Sequence, residues 1–462
     1  MDGNLKTHSG QSMGKPSVSH DNKPTGIARV AALARTQPSM KFNNLMHHLT
    51  PELIKECIHA IPNGSASGVD GMSKDQVLEN LNWLIPPALK AMHSGTYQAP
   101  PVRRVFIPKP DGRQRPIGVP TTFDKGCQAG IARILEGIYE QDFLNCSFGF
   151  RPGRGCHNAL ATIHDGLFKG PTKDQLNYAL EVDIRDFFGS LDHGWLKKFL
   201  RHRISDERVI GLIESWLTAG VLNDGQYTKT DVGSPQGGSI SPLLANIYLH
   251  YILDLWWEKR IKPRLRGKAI LVRYCDDFVI LCQNQDEAEG MLPLIKARFA
   301  QFNLQIAEEK THLTDLSLRK SGGDKSRRRI DFLGFSIFRA KPRNGKGSKI
   351  VFKTEKSRFT RAKLKLKERI KKNRHLPISV QIRSINLILR GHFNYYGLPG
   401  NVERLRYYKT TATRYLRIAL GRRSQNGLMS WERFQREVIN VFKFEQPKLR
   451  VTYHEISDLA MS

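Results

Sequence analysis

The 462-residue sequence lacks features that mark several common classes of protein. It has no apolar run of about 18 residues, so we predict no transmembrane helix. Its first 38 residues are polar and lack the apolar core of a signal peptide. It has only six cysteines and no Cys-x-x-Cys pair, which argues against a secreted, disulfide-linked protein. We therefore expect a protein of the reducing cytoplasm.

Acidic residues are scarce relative to basic ones. The chain has 73 Lys and Arg against 43 Asp and Glu, a formal net charge of +30. Residues 321–462 contain 34 of the basic and 10 of the acidic residues, so the last third alone has a net charge of +24. A solvated face is the simplest explanation for one basic helix, but a density sustained over 142 residues favours contact with a nucleic acid.

The spacing of apolar residues predicts a mixture of strands and helices, followed by helices alone. From about residue 355 the pattern is helical and strongly basic. This order indicates an α+β fold with a helical C-terminal domain. The predicted segments are a strand pair within 103–120, a helix at 124–140, a strand at 178–185, a helix at 240–259, a hairpin at 269–282 and a strand pair at 330–338.

Two acidic sites lie at the ends of apolar strands. Asp183 is in the strand of residues 178–185, and Asp276-Asp277 lie at the turn of the predicted hairpin. Carboxylates with apolar flanks are costly unless another charge compensates them, and Mg²⁺ is bound by a few carboxylates together with substrate phosphates. If the strands are neighbours, the three carboxylates converge and can hold two metal ions about 4 Å apart. An isolated Asp-Asp pair is more often a simple turn, so the second acidic site strengthens the hypothesis.

Six blocks of sequence, in order, resemble one family of enzymes. The block Tyr274-Cys275-Asp276-Asp277 resembles the Tyr-x-Asp-Asp hairpin of reverse transcriptases. Together the blocks resemble the reverse transcriptases encoded within bacterial group II introns, over about residues 40–420, although Cys275 stands where these enzymes more often have Ala. The other five blocks are Phe106–Ile117, Ser147–Arg154, Gly233–Pro242, Glu308–Thr311 and Phe332–Phe335.

The resemblance implies a right-hand polymerase fold. Fingers and a palm with an antiparallel sheet would be followed by an all-α thumb or maturase domain. We expect no His-Asn-His nuclease, since no Cys follows Cys282. The expected segments are a flexible leader at 1–38, an N-terminal extension of the fingers at 39–100, fingers and palm at 101–345, the thumb or maturase domain at 346–440 and a C-terminal tail at 441–462.

The resemblance also implies the chemistry. The chain would be an RNA-directed DNA polymerase that adds deoxynucleotides by two-metal phosphoryl transfer, with Asp183, Asp276 and Asp277 as catalytic residues. Two Mg²⁺ ions, with Mn²⁺ as a substitute, would be bound by these carboxylates and by Ile184.

Several residues are expected to bind the incoming nucleotide. The resemblance places Lys109 and Arg115 over the triphosphate, and cations on a strand–turn–strand suit that task, although a solvent-exposed basic hairpin is the simpler alternative. Gln236, in a Gly-rich loop, would hydrogen-bond the sugar or base, unless the loop is only a helix-entry turn. Lys310 would approach the triphosphate or the primer grip.

Phe188 lies five residues after Asp183, where the family has an aromatic residue that selects the sugar. A flat ring beneath C2′ leaves no room for a 2′-hydroxyl, so the resemblance implies a preference for deoxynucleotides. The alternative is that Phe187 and Phe188 are both core residues.

Further residues are expected to contact nucleic acid. Arg151 and Arg154 would contact the template strand, or would instead pair with internal carboxylates such as Glu140 or Asp142. Residues 387–397 resemble the Arg-Gly-x-x-Asn-Tyr-Tyr block of the thumb, and we expect its two tyrosines to be core residues. Residues 356–372 predict an amphipathic helix whose cations contact RNA, namely Arg361, Lys363, Lys365, Lys367 and Arg369.

The expected function is therefore reverse transcription combined with maturase activity on group II intron RNA, in support of splicing and mobility. The partners would be RNA template and primer, intron RNA, a DNA target and deoxynucleoside triphosphates, with no membrane, in a bacterial cytoplasm close to the nucleoid. A stand-alone reverse transcriptase of repair or phage defence, and a maturase that acts only in splicing, remain alternatives. An RNA-directed RNA polymerase is disfavoured by Phe188 and the hairpin.

Overall fold

The computed structural model describes residues 26–108, 112–168, 175–223, 226–229, 233, 237–318, 328–342, 345, 347–423, 429–453 and 455–461. Within them the chain forms a mixed α/β structure with three small sheets. No helix in this part of the chain is long and apolar enough to cross a membrane. The helices are α1 (Gly26–Thr36), α2 (Pro51–Ala60), α3 (Lys74–Glu79), α4 (Leu81–Ser94), α5 (Thr122–Tyr139), α6 (Cys156–Phe168), α7 (His193–Leu200), α8 (Glu207–Thr218), α9 (Ser241–Leu249), α10 (Gln285–Ala300), α11 (Lys356–Lys372), α12 (Ile378–Tyr396), α13 (Val402–Gly421), α14 (Trp431–Phe434) and α15 (Ile456–Met461).

The strands confirm the three strand regions that apolar alternation predicts around the candidate site. β1 and β2 are an antiparallel pair, and the order of their sheet is β2-β1-β4-β5. A three-stranded sheet has the order β11-β10-β9. The strands are β1 (Val102–Pro108), β2 (Gln114–Val119), β3 (Tyr178–Val182), β4 (Val221–Asn223), β5 (Gln226–Thr228), β6 (Ala269–Tyr274), β7 (Asp277–Cys282), β8 (His312–Asp315), β9 (Ile330–Phe332), β10 (Phe335–Ala340) and β11 (Lys349–Thr354).

The central sheet has the order β6-β7-β3-β8, with every neighbouring pair antiparallel. Because side chains alternate between the faces of a strand, the sheet contributes to two cores. Leu180 and Ile280 belong to the core that includes α5, α9 and α10, whereas Ala179 and Leu281 belong to the core that includes α6. Both faces are therefore covered, and the loops at the strand ends are left accessible.

The N-terminal region is more ordered than composition suggests. The sequence analysis places all of residues 1–38 in a flexible leader, and for residues 26–36 this is wrong because they form α1. Val30 and Ala34, one helical turn apart, are buried, and Ile27 packs close to Gly137 on α5. A few apolar residues on one helix face do not change the average composition of a segment that is otherwise polar, so composition alone does not reveal α1.

Helices α11, α12 and α13 have a core of their own, which includes Phe359, Leu389 and Leu405. The segment predicted as a C-terminal tail returns to the centre of the molecule. The Asn158 side chain on α6 donates to the Leu459 carbonyl on α15 at 3.0 Å, so the last described residues brace α6, which covers the central sheet.

Candidate active site

The central sheet brings the three predicted aspartates to one end. Val182 of β3 pairs with Phe278 of β7. Asp183 directly follows Val182 and Asp277 directly precedes Phe278, so both lie at the same end of the sheet. Tyr274 pairs with Asp277, which leaves Cys275 and Asp276 as a two-residue turn. Cys275 has a φ of 61°, in the left-handed region that such tight turns require. The condition set in the sequence analysis, that the two strands are neighbours, is met.

The segment before β8 completes this edge. The Ala307 N–H donates to the Asp183 carbonyl at 2.8 Å, and Ile184 forms an isolated antiparallel bridge with Ile306. A short 3₁₀ turn at Glu308–Lys310 follows, and it directs the Lys310 ammonium to the Asp183 carboxylate, with which it forms an ion pair. Main-chain pairing thus sets the position of this lysine, 127 residues away in sequence.

A cleft with a volume of about 410 Å³ opens over this sheet edge. Asp183 and Asp276 line it, whereas Asp277 lies at the exposed side of the hairpin. The opposite wall comes from β2 and from the loop that leads into α9. The other lining residues are Arg115, Pro116, Ile117, Ile184, Asp186, Phe187, Phe188, Gly237, Gly238, Ser241, Pro242 and Lys310.

The carboxylates influence one another electrostatically. Burial raises the pKa of Asp276, and the nearby Asp183 carboxylate raises it further, while Arg115 and Lys310 act in the opposite direction. Asp277 keeps an exposed edge, but the protein packed around it and then the Asp276 and Asp183 charges raise its pKa to about 7. Burial first, and then repulsion between the carboxylates, disfavours their charged forms, and a bound cation would stabilise those forms.

The donors suit a hard divalent cation, because carboxylate oxygens are the ligands that Mg²⁺ and Mn²⁺ prefer. Among the described residues no group of three His, Cys, Asp or Glu side chains has the arrangement of a metal site. The ammonium of Lys310 instead balances Asp183. Of the predicted ligands, Ile184 is buried and apolar, so only its carbonyl oxygen could contribute. The donor types, which are carboxylate and carbonyl oxygens, therefore fit a divalent cation.

The two phenylalanines after Asp183 differ in burial. Both line the cleft, but Phe187 is buried in the core and Phe188 is half-buried, with the two rings edge to face at 5.4 Å. A Cβ on Gly233 would come within 3.0 Å of the Phe188 carbonyl, so the loop toward α9 packs directly on this turn. Of the residues predicted to bind the nucleotide, Arg115 and Lys310 also line the cleft, while Lys109 and Gln236 lie outside the described residues.

Asp186 is a further carboxylate of the cleft that the sequence analysis missed. Its φ of 41° is unusual for a residue other than glycine, and the Ser190 hydroxyl donates to its carbonyl at 3.0 Å. The only signal in the sequence is its spacing of three residues from Asp183, which alone does not distinguish it from a surface aspartate.

Arg151 is not placed to contact a template strand, and that prediction is wrong. It is 7% exposed, and its Nη2 lies 2.9 Å from Glu140, the alternative partner considered from the sequence. Its Nη1 donates to the carbonyls of Leu144 and Ser147 at 2.9 and 3.0 Å. Internal acceptors thus bind the Nε and Nη1 donors, and Nη2 lies in the ion pair, so this buried guanidinium is not presented to a phosphate. Arg154, by contrast, is half-buried and bound to Asn145.

The five cations predicted for RNA contact lie on α11, but they do not form one stripe. Lys365, Lys367 and Arg369 are exposed. Lys363 is half-buried, with its ammonium 5.2 Å from the Phe359 ring and 5.6 Å from the Tyr407 ring, and Arg361 is also half-buried. At about 100° per residue, 363 and 367 lie on one side of the helix and 361, 365 and 369 on the other.

The tyrosines of the 387–397 block pack into cores, as expected. Tyr395 and Tyr396 are partly buried against the core that contains α6 and the three-stranded sheet. The Tyr395 hydroxyl donates to the Leu333 carbonyl at 2.9 Å, and Leu333 has a φ of 50°. The block from α12 therefore holds the turn between β9 and β10.

Comparisons with known proteins agree with this arrangement. Residues 107–337 match the family described as reverse transcriptase (RNA-dependent DNA polymerase), and residues 359–437 match the group II intron maturase-specific domain. The first match contains Asp183, Asp276, Asp277 and every described residue that lines the cleft. The second contains all five cations of α11.

Individual relatives point the same way. The chain is 32% identical to Protein YkfC of Escherichia coli over 302 residues, 57% of this chain and 79% of that protein. It is 30% identical to the group II intron-encoded protein LtrA of Lactococcus lactis over 418 residues, 73% of this chain and 66% of LtrA. A protein in a cob intron of Schizosaccharomyces pombe is 40% identical over 184 residues, 40% of this chain and 21% of that protein. The chain therefore belongs to the group II intron type of reverse transcriptase, an RNA-directed DNA polymerase domain followed by a maturase-specific domain.

Proposed function

We propose that the chain extends a primer with deoxynucleotides on an RNA template, with Asp183, Asp276 and Asp277 as the catalytic carboxylates. The observation that supports this most strongly is the cleft that Asp183 and Asp276, at the ends of two adjacent strands, share with Arg115 and Lys310. Carboxylates with one cation beside them and another on the β2 wall match a substrate made of a metal-bound triphosphate.

The residues of the cleft have separate tasks in this proposal. Asp183 and Asp276, with Asp277 and the Ile184 carbonyl beside them, would hold Mg²⁺ or Mn²⁺, which activates the primer 3′-hydroxyl and neutralises phosphate charge. Lys310 and Arg115 bind triphosphate oxygens, and Lys310 exchanges its partner Asp183 for phosphate. Lys109 and Gln236, which lie outside the described residues, would also bind the nucleotide, as the resemblance implies.

The half-buried ring of Phe188 contributes specificity. Because it lines the cleft from the turn beside Asp183, a nucleotide bound there would rest its sugar on the ring. An apolar ring offers a 2′-hydroxyl no hydrogen bond, so a ribonucleotide would lose solvation without replacement.

We also propose that residues 101–345 act as fingers and palm, and that residues 346–440 form a thumb or maturase domain that binds group II intron RNA. The exposed cations of α11 and the net positive charge of the last third support this role. Phosphate contacts supply most of the affinity for a nucleic acid and do not involve the cleft.

Primer extension tests the catalytic assignment. An oligo(dT) primer on poly(rA), with dTTP and Mg²⁺, should be extended by the wild-type chain and not by Asp183→Ala or Asp276→Ala. Asp315→Ala is a matched control, because Asp315 pairs with Tyr178 at the opposite end of the same sheet. Extension that survives both active-site changes would overturn the assignment.

Splicing tests the maturase role. If intron RNA surrounds the coding region, its splicing should be stimulated equally by the wild-type chain and by Asp276→Ala. Combined replacement of Lys365, Lys367 and Arg369 by Gln should reduce it. Loss of splicing in Asp276→Ala alone would mean that binding and chemistry are not separate.

A further inference from the structure

A fully buried arginine lies directly behind the turn that carries Asp276. Arg273 is on β6, and neither its side chain nor that of Asp254 is exposed. The Arg273 Nε and Nη2 atoms donate to the two Asp254 oxygens at 2.8 and 2.5 Å. Because burial of an ion pair costs desolvation, such a pair often adds little net stability. Its place behind the cleft suggests a different role.

Every N–H of the Arg273 guanidinium has an acceptor. A guanidinium has five donors, and two of them bind Asp254. The others bind the Cys275 carbonyl at 3.0 Å, the Asn246 side-chain oxygen at 2.9 Å and the Ser147 hydroxyl at 2.7 Å. Cys275 is the residue of the turn that has a positive φ. Arg273 therefore binds the carbonyl of the residue with the least common backbone conformation in the hairpin.

The acceptors link the hairpin to another sequence block. Asn246 also donates to the Gly149 carbonyl at 2.7 Å. A Cβ on Gly149 would come within 2.6 Å of the Cys275 nitrogen, so the two segments touch through their backbones. The Phe148 N–H donates to the Arg273 carbonyl at 2.9 Å. One guanidinium thus joins the hairpin, α9 and the segment of residues 147–149.

An irregular helix turn places Asp254 in this network. After α9 the chain continues as a π-helix over His250–Asp254. Asp254 follows Asn246 by eight positions. In a regular α-helix the directions of these two side chains around the helix axis would differ by roughly 80°. The wider π turn takes up an additional residue and reduces that difference, so both side chains reach Arg273. π-Helical turns of this kind occur frequently at functional sites.

We propose that Arg273, held by Asp254 and Asn246, is a positioning residue that fixes the Cys275-Asp276 turn and thereby sets the metal-binding geometry of Asp276. This inference rests on the proposed catalytic function. Arg273 lines no part of the cleft, so it acts only through the turn. The requirement is for a planar fork of donors: a lysine would retain the charge opposite Asp254 but has three donors and could not bind all of these acceptors together.

Arg273→Lys is the decisive variant, because it keeps the ion pair and loses the fork. We expect it to fold, with kcat on poly(rA)/oligo(dT) reduced by about 10- to 100-fold and binding of Mn²⁺ to the free protein weakened to a similar degree. Mn²⁺ binding is measured by electron paramagnetic resonance, without substrate. The KM for dTTP should change by about twofold or less, since the triphosphate contacts are untouched.

Ser147→Ala is the matched control. It removes one bond to Arg273 and leaves Asp254, Asn246 and the Cys275 carbonyl in place, so Mn²⁺ binding should stay at the wild-type level. If Arg273→Lys does not fold, the pair Arg273→Met with Asp254→Leu replaces both charges by apolar groups of similar size, an exchange that buried ion pairs often tolerate. It should fold and show the same loss.

The outcomes separate the inference from the function on which it rests. A folded Arg273→Lys or double variant with wild-type kcat and Mn²⁺ affinity would overturn the positioning role. Extension by Asp276→Ala in the same assay would overturn the catalytic assignment instead. Arg273 variants that lose stability but bind Mn²⁺ normally when folded would show that the network serves only the fold.

Discussion

The internal ion pair between Arg151 and Glu140 gives the sharpest test of the structure against the sequence. Replacement of Arg151 by Ala would leave the Glu140 carboxylate, 17% exposed, without its partner, and would remove a donor from each of the Leu144 and Ser147 carbonyls. Removal of one member of a buried pair typically costs about 3–5 kcal/mol. We expect the free energy of unfolding of Arg151→Ala to fall by that amount.

Urea unfolding, followed by intrinsic fluorescence, measures the loss. Arg154→Ala is the control, because Arg154 is half-buried and donates to the Asn145 side chain. This change should lower the free energy of unfolding by about 1 kcal/mol or less. The double change Arg151→Met with Glu140→Leu should recover most of the loss, since no charge is left unpaired.

A template contact predicts a different pattern. If Arg151 bound a phosphate, Arg151→Ala would unfold with nearly the wild-type free energy. The slope of log K against log salt for RNA binding would then decrease by about 0.7 to 0.9. That pair of results would refute the reasoning from burial.

Three other predictions follow from single features of the structure. Phe188→Ala should relax discrimination against ribonucleotides, measured as the ratio of kcat/KM for dTTP and UTP, because the ring that lines the cleft is lost. Burial lowers the pKa of His392 to about 4, so the unfolded state binds more protons between about pH 4 and pH 6.5 and stability should fall as the pH drops through this range. Between about pH 7.5 and pH 5 the free energy of unfolding should fall less in His392→Gln than in the wild type. The difference between the two proteins should be up to about 2 kcal/mol. Joint replacement of Lys365, Lys367 and Arg369 by Gln should reduce the salt slope of RNA binding by about 2 to 3.

Each of these has a control in the chain. Phe168→Ala removes an exposed ring outside the cleft and should leave sugar selection unchanged. His375→Gln changes an exposed histidine and is the comparison for His392→Gln. Replacement of the exposed Lys90, Lys259 and Arg260 by Gln removes three cations outside the basic segment and should change the salt slope less. Equal effects of variant and control would contradict the corresponding prediction.

The sequence predicts the parts of the site that depend on local alternation. The hairpin of residues 269–282 and the strand before Asp183 are apolar at alternate or successive positions, so their type and ends are legible. Their adjacency is not encoded locally, and the sequence analysis gives it only as the condition on which the three carboxylates would converge. The structure has this pairing, with Val182 opposite Phe278.

The sequence does not predict which charges are internal. Arg151 and Arg154 lie three residues apart in one block, yet one is buried and the other is half-buried. The difference arises from Glu140, which α5 brings beside Arg151 from eleven residues earlier. Arg273 was missed for the same reason: a single arginine in an apolar strand signals a buried partner, but nothing local names Asp254, and the π turn that presents it is read as a regular helix.

The cleft combines a rigid side and an adjustable side, and this division follows from burial. Asp276 extends from a turn in which the Cys275 carbonyl accepts a hydrogen bond from the Arg273 guanidinium, which has no exposed surface. A shift of Asp276 would therefore require the core to open. Lys310 is on a single 3₁₀ turn, its side chain is 56% exposed, and its ion pair with Asp183 is near the surface. Surface pairs are typically worth about 1 kcal/mol or less. In the proposed function, a triphosphate would therefore draw Lys310 away from Asp183 at little cost, whereas the turn that carries Asp276 would keep its geometry without substrate.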